Sequence, residues 1–445
     1  MKTIREKLIK LVLPITFQNF MLALVSASDA VMLGKLDQNM LSAVSLAAQI
    51  TFVFHLFMAA ITMGMNILVA QYWGKGDFRE IEKIVGYVMK ITLLISAAFF
   101  LAAVLAPGVL MRIFTGDGEL IGHGVRYLRI VGISYILTGV TQIFMTVLKN
   151  VERASYAMWI SGITVVLNIL LNAVLIFGLC GGPALQVSGA ALATSISSLV
   201  GLLLAAVASV SKTPVRTRMK EIIGHYEAQQ FWKYTLPVLI NELAWGGGFT
   251  MYSVILGHMG TDAVAANSLA NITKNLLICF CMGLGAGASI LVGNELGAGR
   301  LEEAKRLGGY LTKLSIISGL VTGAVILVLS PVIVTFAGIS DTASHYLRAM
   351  LIMSSYYVWG KAINCMTIGG IFAAGGDSKF GMVCDTVTLW CVTVPLGAIA
   401  AFILHMPVIA VYFVLNLDEV IKLPAVYMRY KKYKWVRNLT EEKEF

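Results

Sequence analysis

The sequence contains few charged residues. Asp, Glu, Lys and Arg make up only 13% of the 445 residues, and 58% of the residues are hydrophobic. A soluble protein usually carries about 25% charged residues. Apolar runs of about 20 residues or more follow one another along the chain, so hardly any polar surface is left to face water. These features exclude a water-soluble fold and make the lipid bilayer the expected surroundings of the protein.

The sequence also lacks the motifs of a catalytic protein. The apolar runs contain no Walker-type phosphate loop, no nucleophile elbow and no zinc-ligand pattern. Cys279 and Cys281 are two residues apart, and residues at this spacing point away from each other on a helix. We therefore expect no enzyme activity, no metal site and no bound cofactor.

The apolar runs predict helices. Backbone groups in a bilayer need partners within the protein, which leaves helices or a closed barrel, and barrel strands are only about 10 residues long with alternating polarity. The sequence predicts an all-α integral membrane protein with twelve transmembrane helices, near residues 8–33, 46–72, 85–108, 124–149, 157–179, 187–211, 232–257, 265–292, 308–330, 343–374, 381–404 and 407–428.

The two halves of the chain repeat one another. When residues 13–96 are moved forward by 223 positions without a gap, Leu13-Pro14 falls on Leu236-Pro237 and Gly74 falls on Gly297. Duplicated halves of apolar helices are typical of transporters, whose substrate path lies between the repeats. We predict two six-helix bundles related by a pseudo-two-fold axis: an N-lobe over 1–211 and a C-lobe over 232–430. A cytoplasmic linker over 212–231 and a cytoplasmic tail over 431–445 complete the predicted domains.

The net charge of +10 does not indicate a nucleic-acid partner. With twelve spans, most of the basic residues outside the helices fall on one side of the membrane, together with both termini. This asymmetry is the positive-inside rule. It predicts a multi-pass protein of the cell (plasma) membrane with both termini in the cytoplasm.

Ionisable groups in membrane helices are costly, so each one is a candidate functional residue. Asp29 lies in the small, apolar run ALVSASDAVMLG of helix 1, and Asn168 and Asn172 share one face of helix 5 because they are four residues apart. If that face meets helix 1, a carboxylate and two amides converge on one cation- or proton-coupling site. The alternatives are a solvated helix end for Asp29 and ordinary helix–helix hydrogen bonding for the asparagine pair.

The C-half has its own polar residues. Glu242 of helix 7 occupies the repeat position of Asn19, so the halves have diverged in charge. The alternative for Glu242 is a salt bridge with Lys274 or Lys361.

A structural role is the favoured interpretation for Asp385 and for a set of charged residues on helix 12. We expect Asp385 to be a partner of loop backbone or of Lys379. Asp418, Glu419 and Lys422 are spaced to form an ion cluster along helix 12.

Several segments together resemble the multidrug and toxic compound extrusion (MATE) family of transporters, of the bacterial NorM/DinF type. The resemblance rests on SDAVMLG, ILVAQYWGKGD and LNILLNAVLIFG in the N-half, and on LPVLINELAWGGG, MGLGAGASILVGNELGAG and AAGGDSKFGMVCD in the C-half. It implies two six-helix bundles, alternating access, and export of amphipathic, often cationic compounds driven by inward H⁺ or Na⁺.

The resemblance also implies roles for single residues. Asp29 matches the family's cation-binding aspartate of helix 1, and Pro14 matches the hinge at which that helix kinks. Asn168 matches the amide of helix 5, whereas Asn172 stands where many bacterial relatives have aspartate.

In the C-lobe, Glu242 matches the glutamate of helix 7. Asn364 falls where some relatives carry an aspartate on helix 10. With Asp385, these two residues form the predicted C-lobe polar site.

The leading functional hypothesis is a cation-coupled antiporter, expected to act as a monomer on small amphipathic substrates. One alternative is a flippase for a lipid-linked precursor, which should need several cationic residues in its cavity. Lys274 and Lys361 are the candidates for such residues. A passive channel is less favoured, because a single path needs no diverged carboxylate in each lobe.

Overall fold

A computed structural model describes residues 2–34, 38–178, 184–216 and 223–441 of the chain. Within those ranges the protein is helical, with twelve long helices and no strand. The all-α fold with six helices in each half, expected from the sequence, is confirmed.

The N-half contains six long helices. They are α1 (Lys2–Gly34), α2 (Gln38–Lys75), α3 (Phe78–Leu105), α4 (Gly118–Asn150), α5 (Ala154–Phe177) and α6 (Gln186–Lys212). A short helix, Pro107–Arg112, follows α3. Pro14 lies inside α1, and the helix continues through it.

The C-half contains the other six. They are α7 (His225–Gly257), α8 (Thr261–Gly297), α9 (Leu301–Phe336), α10 (Asp341–Asn364), α11 (Ser378–Thr386) and α12 (Val408–Leu415). The last three are irregular and continue beyond these bounds. α10 runs on as a π-helix over Cys365–Phe372, and α11 runs on to Ile403 through π-helical Val387–Thr393 and Ile399–Ile403. Two further helical segments, Asp418–Ile421 and Leu423–Lys431, complete α12.

Most of these helices have the length and composition of membrane spans. Among the described residues, eight helices are long and apolar enough to cross a bilayer: α2 to α6, α8, α9 and the continuous α11. All twelve predicted helices coincide with observed ones. α3 begins at Phe78, seven residues before the start predicted near 85. Its first turn is capped by Asp77, whose side chain accepts a hydrogen bond from the backbone N–H of Glu80 at 3.2 Å.

The chain forms two compact units. The first comprises Met1–Val69 with Asp77–Phe231, and the second comprises Ala70–Gly76 with Trp232–Phe445. Within the first unit, α1 packs along α5, and α4 packs against both α3 and α6. Within the second, α10 packs against α8 and α9, and a buried core of small and aliphatic residues joins α8, α10 and α12. The second unit thus includes the last turns of α2.

In the second unit the ends of α2 and α8 cross at positions related by the repeat. A Cβ atom added to Gly74 would collide with the backbone of Asn294, and one added to Gly297 would collide with the backbone of Gln71. A Cβ atom on Gly293 would lie only 2.8 Å from the Cβ of Ala70. The segments Ala70-x-x-x-Gly74 and Gly293-x-x-x-Gly297 therefore form a close small-residue crossing.

The chain after α12 packs onto this crossing. Trp435 is fully buried, and Gln71 accepts a hydrogen bond from the backbone N–H of Leu439 at 2.7 Å. The same Gln71 donates to the carbonyl of Ala374 at 2.7 Å. Trp435 and Leu439, which follow α12, are thus part of the second unit's core.

Candidate functional site

In the first unit, the packing brings α1 and α5 side by side. This is the arrangement that the predicted coupling site requires, because Asp29 belongs to α1 and both asparagines belong to α5. The backbone of Asp29 is helical, and its side chain lies outside the described residues.

The two asparagines of α5 are buried and linked. Asn168 is 3% exposed and Asn172 is fully buried. The Asn172 amide donates to the Asn168 side-chain oxygen at 3.1 Å, and the Asn168 amide donates to the hydroxyl of Ser197 on α6 at 3.3 Å. A hydrogen bond between two helices, which was the structural alternative for the asparagine pair, is therefore present between Asn168 and Ser197. It also holds both amides at fixed positions.

In the second unit, a cluster of buried charges joins α10, α11 and α12. Glu419 is fully buried and pairs with Lys361 at 3.0 Å and with Lys422 at 3.1 Å. Lys422 also pairs with Asp385 at 2.7 Å. Two cations thus face two carboxylates, so the direct pairs within this four-residue ion cluster balance in charge.

Two asparagines complete the hydrogen bonds of the ion cluster. Asn364 donates to the Glu419 carboxylate at 2.7 Å and to the Glu419 carbonyl at 2.8 Å. Asn241 of α7 donates to Asp385 at 3.0 Å. Gly360 permits the close approach of α12, since a Cβ there would lie 3.1 Å from the Cβ of Glu419.

Two of the helices that carry the ion cluster, α10 and α11, change to π-helix close to it. Asn364 is the last α-helical residue before the π-helix of α10, and Asp385 lies two residues before the first π-helix of α11. Where the backbone hydrogen bonds change from the α-helical to the π-helical pattern, the side chains that follow point in a different direction. π-Helical turns are frequent at functional sites.

Three structural expectations require correction. Asp385 pairs with Lys422 rather than with Lys379, because α12 packs against the start of the π-helix of α11. Glu242 forms no ion pair with Lys274 or Lys361, because Lys361 is held by Glu419.

Along α12, only the pair Glu419–Lys422, at a spacing of three, is formed, and Asp418 makes none with Lys422. The helix is interrupted at Lys422, between Asp418–Ile421 and Leu423–Lys431, which changes the direction of the side chains.

Glu242 nevertheless lies close enough to the ion cluster to interact electrostatically with its charged groups. The charged groups that act on Glu242 are Lys361, which attracts it, and Asp385, which repels it. The structure thus brings Asn364 and Asp385 into one cluster and leaves Glu242 beside it without a direct partner in the described residues.

Next to the ion cluster lies a cavity to which five aromatic side chains contribute. These come from α7, α10 and α12 and comprise Trp245, Phe249, Tyr252, Tyr357 and Tyr412. Tyr252, the repeat counterpart of Asp29, bonds through its hydroxyl to that of Thr393 at 2.8 Å. Two charged residues also line the cavity, Lys274 of α8 and Asp418 of α12.

The sequence drew attention to Lys274 and Asp418 as ionisable residues in membrane helices, but it named only Lys274 as a candidate for a cavity and did not place the two in the same one. The available signal was their cost in a bilayer. The sequence does not show how α8, α10 and α12 are aligned with one another, and only their packing does. Lys422 was likewise recognised only as a partner on its own helix.

No group of three or more His, Cys, Asp or Glu side chains that could hold a metal ion occurs among the described residues.

The repeat and the helices agree with comparisons against known proteins. The family model MatE matches residues 14–174 and 237–399, which is most of the chain. The chain belongs to the MATE family. The starts of the two matches differ by 237 − 14 = 223 residues, the offset of the internal repeat. As a member of this transporter family with several membrane-spanning helices, the chain is a multi-pass membrane protein.

Individual MATE proteins resemble the chain over nearly its full length. The uncharacterized transporter YisQ of Bacillus subtilis is 22% identical, covering 97% of this chain and 95% of its own. The probable multidrug resistance protein NorM of Thermotoga maritima is also 22% identical, covering 99% and 95%. A crystal structure of a mutant of the Vibrio cholerae MATE transporter VcmN superposes with a TM-score of 0.90 at 17% identity, covering 98% of both chains. That structure supports the fold.

Proposed function

We propose that this MATE protein is a secondary active exporter of the plasma membrane. It moves amphipathic, cationic or neutral compounds out of the cytoplasm in exchange for inward H⁺ or Na⁺, by alternating access. Its termini lie in the cytoplasm, it acts as a monomer without a cofactor, and it is not an enzyme. The multidrug resistance names of its NorM relatives support export of foreign compounds.

One observation carries the coupling part of the proposal. The helix that bears Asp29 packs along the helix that bears the buried, fixed amides of Asn168 and Asn172. Amide oxygens and a carboxylate are suitable partners for Na⁺, and a carboxylate in a low-dielectric site is suited to exchange a proton. A carboxylate fixed between two helices can link ion binding to their packing.

The test is transport in inverted membrane vesicles. Ethidium uptake should follow an acidic or a Na⁺-loaded lumen, with the two gradients imposed separately. We expect wild-type protein to accumulate ethidium under one of them. Asp29→Asn should abolish the gradient-driven uptake without lowering the amount of protein in the membrane.

A matched control separates coupling from general damage. Asp341→Asn makes the same chemical change at an exposed residue in the first turn of α10 and should leave uptake unchanged. Wild-type uptake rates in Asp29→Asn would refute the coupling role. Downhill ethidium movement that is indifferent to both gradients would instead identify a passive path.

A further inference from the structure

The cavity of the second unit holds two charges of opposite sign that are not paired with each other. Lys274 is 7% exposed and Asp418 is 5% exposed, and both line the cavity. They form no ion pair with each other, and neither takes part in the pairs of the neutral ion cluster of Lys361, Lys422, Glu419 and Asp385. The cavity therefore presents one cation and one carboxylate at separate points.

Lys274 has donors to spare. An ammonium group has three N–H donors, and Lys274 makes one hydrogen bond among the described residues, to the side-chain oxygen of Asn416 at 3.2 Å. Its other neighbours are the rings of Tyr357 and Tyr412, with centroids at 4.8 and 5.3 Å. These rings stabilise the positive charge but accept no conventional hydrogen bond. The remaining N–H groups are suited to an anionic group.

Asp418 has an acceptor to spare. Its Oδ1 atom is buried and has no hydrogen-bond partner among the described residues. The charges that act on Asp418 are Glu419, Lys422, Lys361 and Asp385, which are already engaged with one another. A buried acceptor left without a donor costs free energy, and a ligand ammonium group would supply that donor.

Aromatic side chains form part of the cavity lining. Trp245 and Phe249 stack with ring centroids 5.8 Å apart, and both line the cavity together with Tyr252. Such walls suit a flat, apolar ligand body.

We propose that this cavity binds an aromatic zwitterion, with the ligand carboxylate on Lys274 and the ligand ammonium on Asp418. The proposal that the compound binds depends only on the residues that line the cavity. That such a compound is exported rests in addition on the proposed transport function.

The test is equilibrium dialysis of the purified full chain in detergent with three radiolabelled indole compounds. Tryptophan carries both charges, tryptamine carries only the ammonium, and indole-3-propionate carries only the carboxylate. Because a charge-assisted hydrogen bond contributes more than a neutral one, wild-type protein should bind tryptophan about tenfold more tightly than either analogue.

Two variants assign the contacts. Lys274→Gln should weaken tryptophan and indole-3-propionate binding about tenfold and leave tryptamine unchanged, and Asp418→Asn should weaken tryptophan and tryptamine about tenfold and leave indole-3-propionate unchanged. The exposed residues Lys313 and Asp341 provide matched controls, Lys313→Gln and Asp341→Asn, that should alter none of the three affinities. Lys274→Arg keeps the charge and should keep the preference for a carboxylate.

Several results would overturn the inference. They are the absence of tryptophan binding to wild-type protein, tryptamine binding as tightly as tryptophan, or a variant that weakens all three ligands alike while the protein stays folded. The wild-type series needs no variant, so a folding defect cannot obscure it. Tryptophan that binds as expected but is not carried into vesicles by either gradient would count against the proposed transport, not against the binding site.

Discussion

At the scale of single residues, Glu419 is the most heavily shared group of the ion cluster. It is fully buried and serves both Lys361 and Lys422. Without its charge, two buried ammonium groups would share one remaining carboxylate. Loss of one partner from a buried ion pair costs about 3–5 kcal/mol. We predict that Glu419→Gln markedly lowers the midpoint of thermal unfolding, measured by fluorescence-detected size-exclusion chromatography.

Glu303→Gln is the matched control for that change. Glu303 forms an exposed pair with Arg306 at 3.8 Å, and exposed pairs contribute about 0–1 kcal/mol. Its unfolding midpoint should stay close to that of the wild type. Equal losses in both variants would show that burial of the cluster has no special effect on stability.

Glu242 leads to the opposite prediction, because it has no direct ion partner among the described residues. Glu242→Gln should change the unfolding midpoint far less than Glu419→Gln does. It should weaken binding of a monovalent cationic dye more than that of a neutral analogue, because a carboxylate attracts cations most strongly in a low-dielectric site. Equal weakening for both dyes, measured by fluorescence titration, would mean that Glu242 has no role in selecting charge.

The sequence was informative about which residues are polar in the membrane and much less so about their partners. The cost of a charge in a bilayer singles out Lys361, Asp385 and Glu419 from the sequence alone. Their pairing depends on the register between α10, α11 and α12, which has no local signal. For this reason the sequence predicts that Asp385 pairs with nearby loop backbone or with Lys379, whereas packing places Lys422 beside it.

At the scale of helices, long apolar runs predicted every long helix but not the short helix Pro107–Arg112, and the other differences arise at helix ends and at the π-helices. The early start of α3 had a readable signal, since Asp77 followed by Glu80 three residues later is typical of a capped helix start. The π-helices of α10 and α11 were not predicted from the sequence.

The crossing of α2 and α8 gives a prediction at this scale. Gly297→Ala should destabilise the protein strongly, because its new Cβ would collide with the backbone of Gln71, which cannot rotate away. Gly74→Ala should do the same against the backbone of Asn294. Overpacking of this kind costs about 1–3 kcal/mol or more, and thermal unfolding would measure it.

The control for the crossing is Gly162→Ala on α5. A Cβ there would meet no atom within 4 Å, and alanine is about 1 kcal/mol more favourable than glycine in a helix interior. This variant should be neutral or slightly stabilised. A Gly297→Ala protein as stable as Gly162→Ala would show that the two helix ends do not cross closely in the membrane.

At the scale of the whole molecule, the two halves share a plan but have diverged in chemistry. Pro14 in α1 and Pro237 in α7 occupy the same repeat position, and each removes one backbone hydrogen bond from a long helix. Asp29 follows Pro14 by fifteen residues, whereas Tyr252 stands at that position in α7 and is tied to Thr393. Fifteen residues after the proline, α1 thus carries a carboxylate that can gain or lose charge, whereas α7 carries a tyrosine hydroxyl there.

This asymmetry predicts unequal motion of the two helices. In a cysteine-free background, spin labels at Phe20 and Leu94 would report bending of α1 against α3, and labels at their repeat counterparts Leu243 and Ile317 would report α7 against α9. All four residues are exposed. Double electron–electron resonance distances for the first pair should shift with pH or Na⁺ and should lose this response in Asp29→Asn. Those for the second pair should respond much less, because α7 carries Tyr252 at the position of Asp29. If both pairs shift alike, or neither shifts, then the halves move as rigid bodies and the ion acts elsewhere than at a hinge in α1.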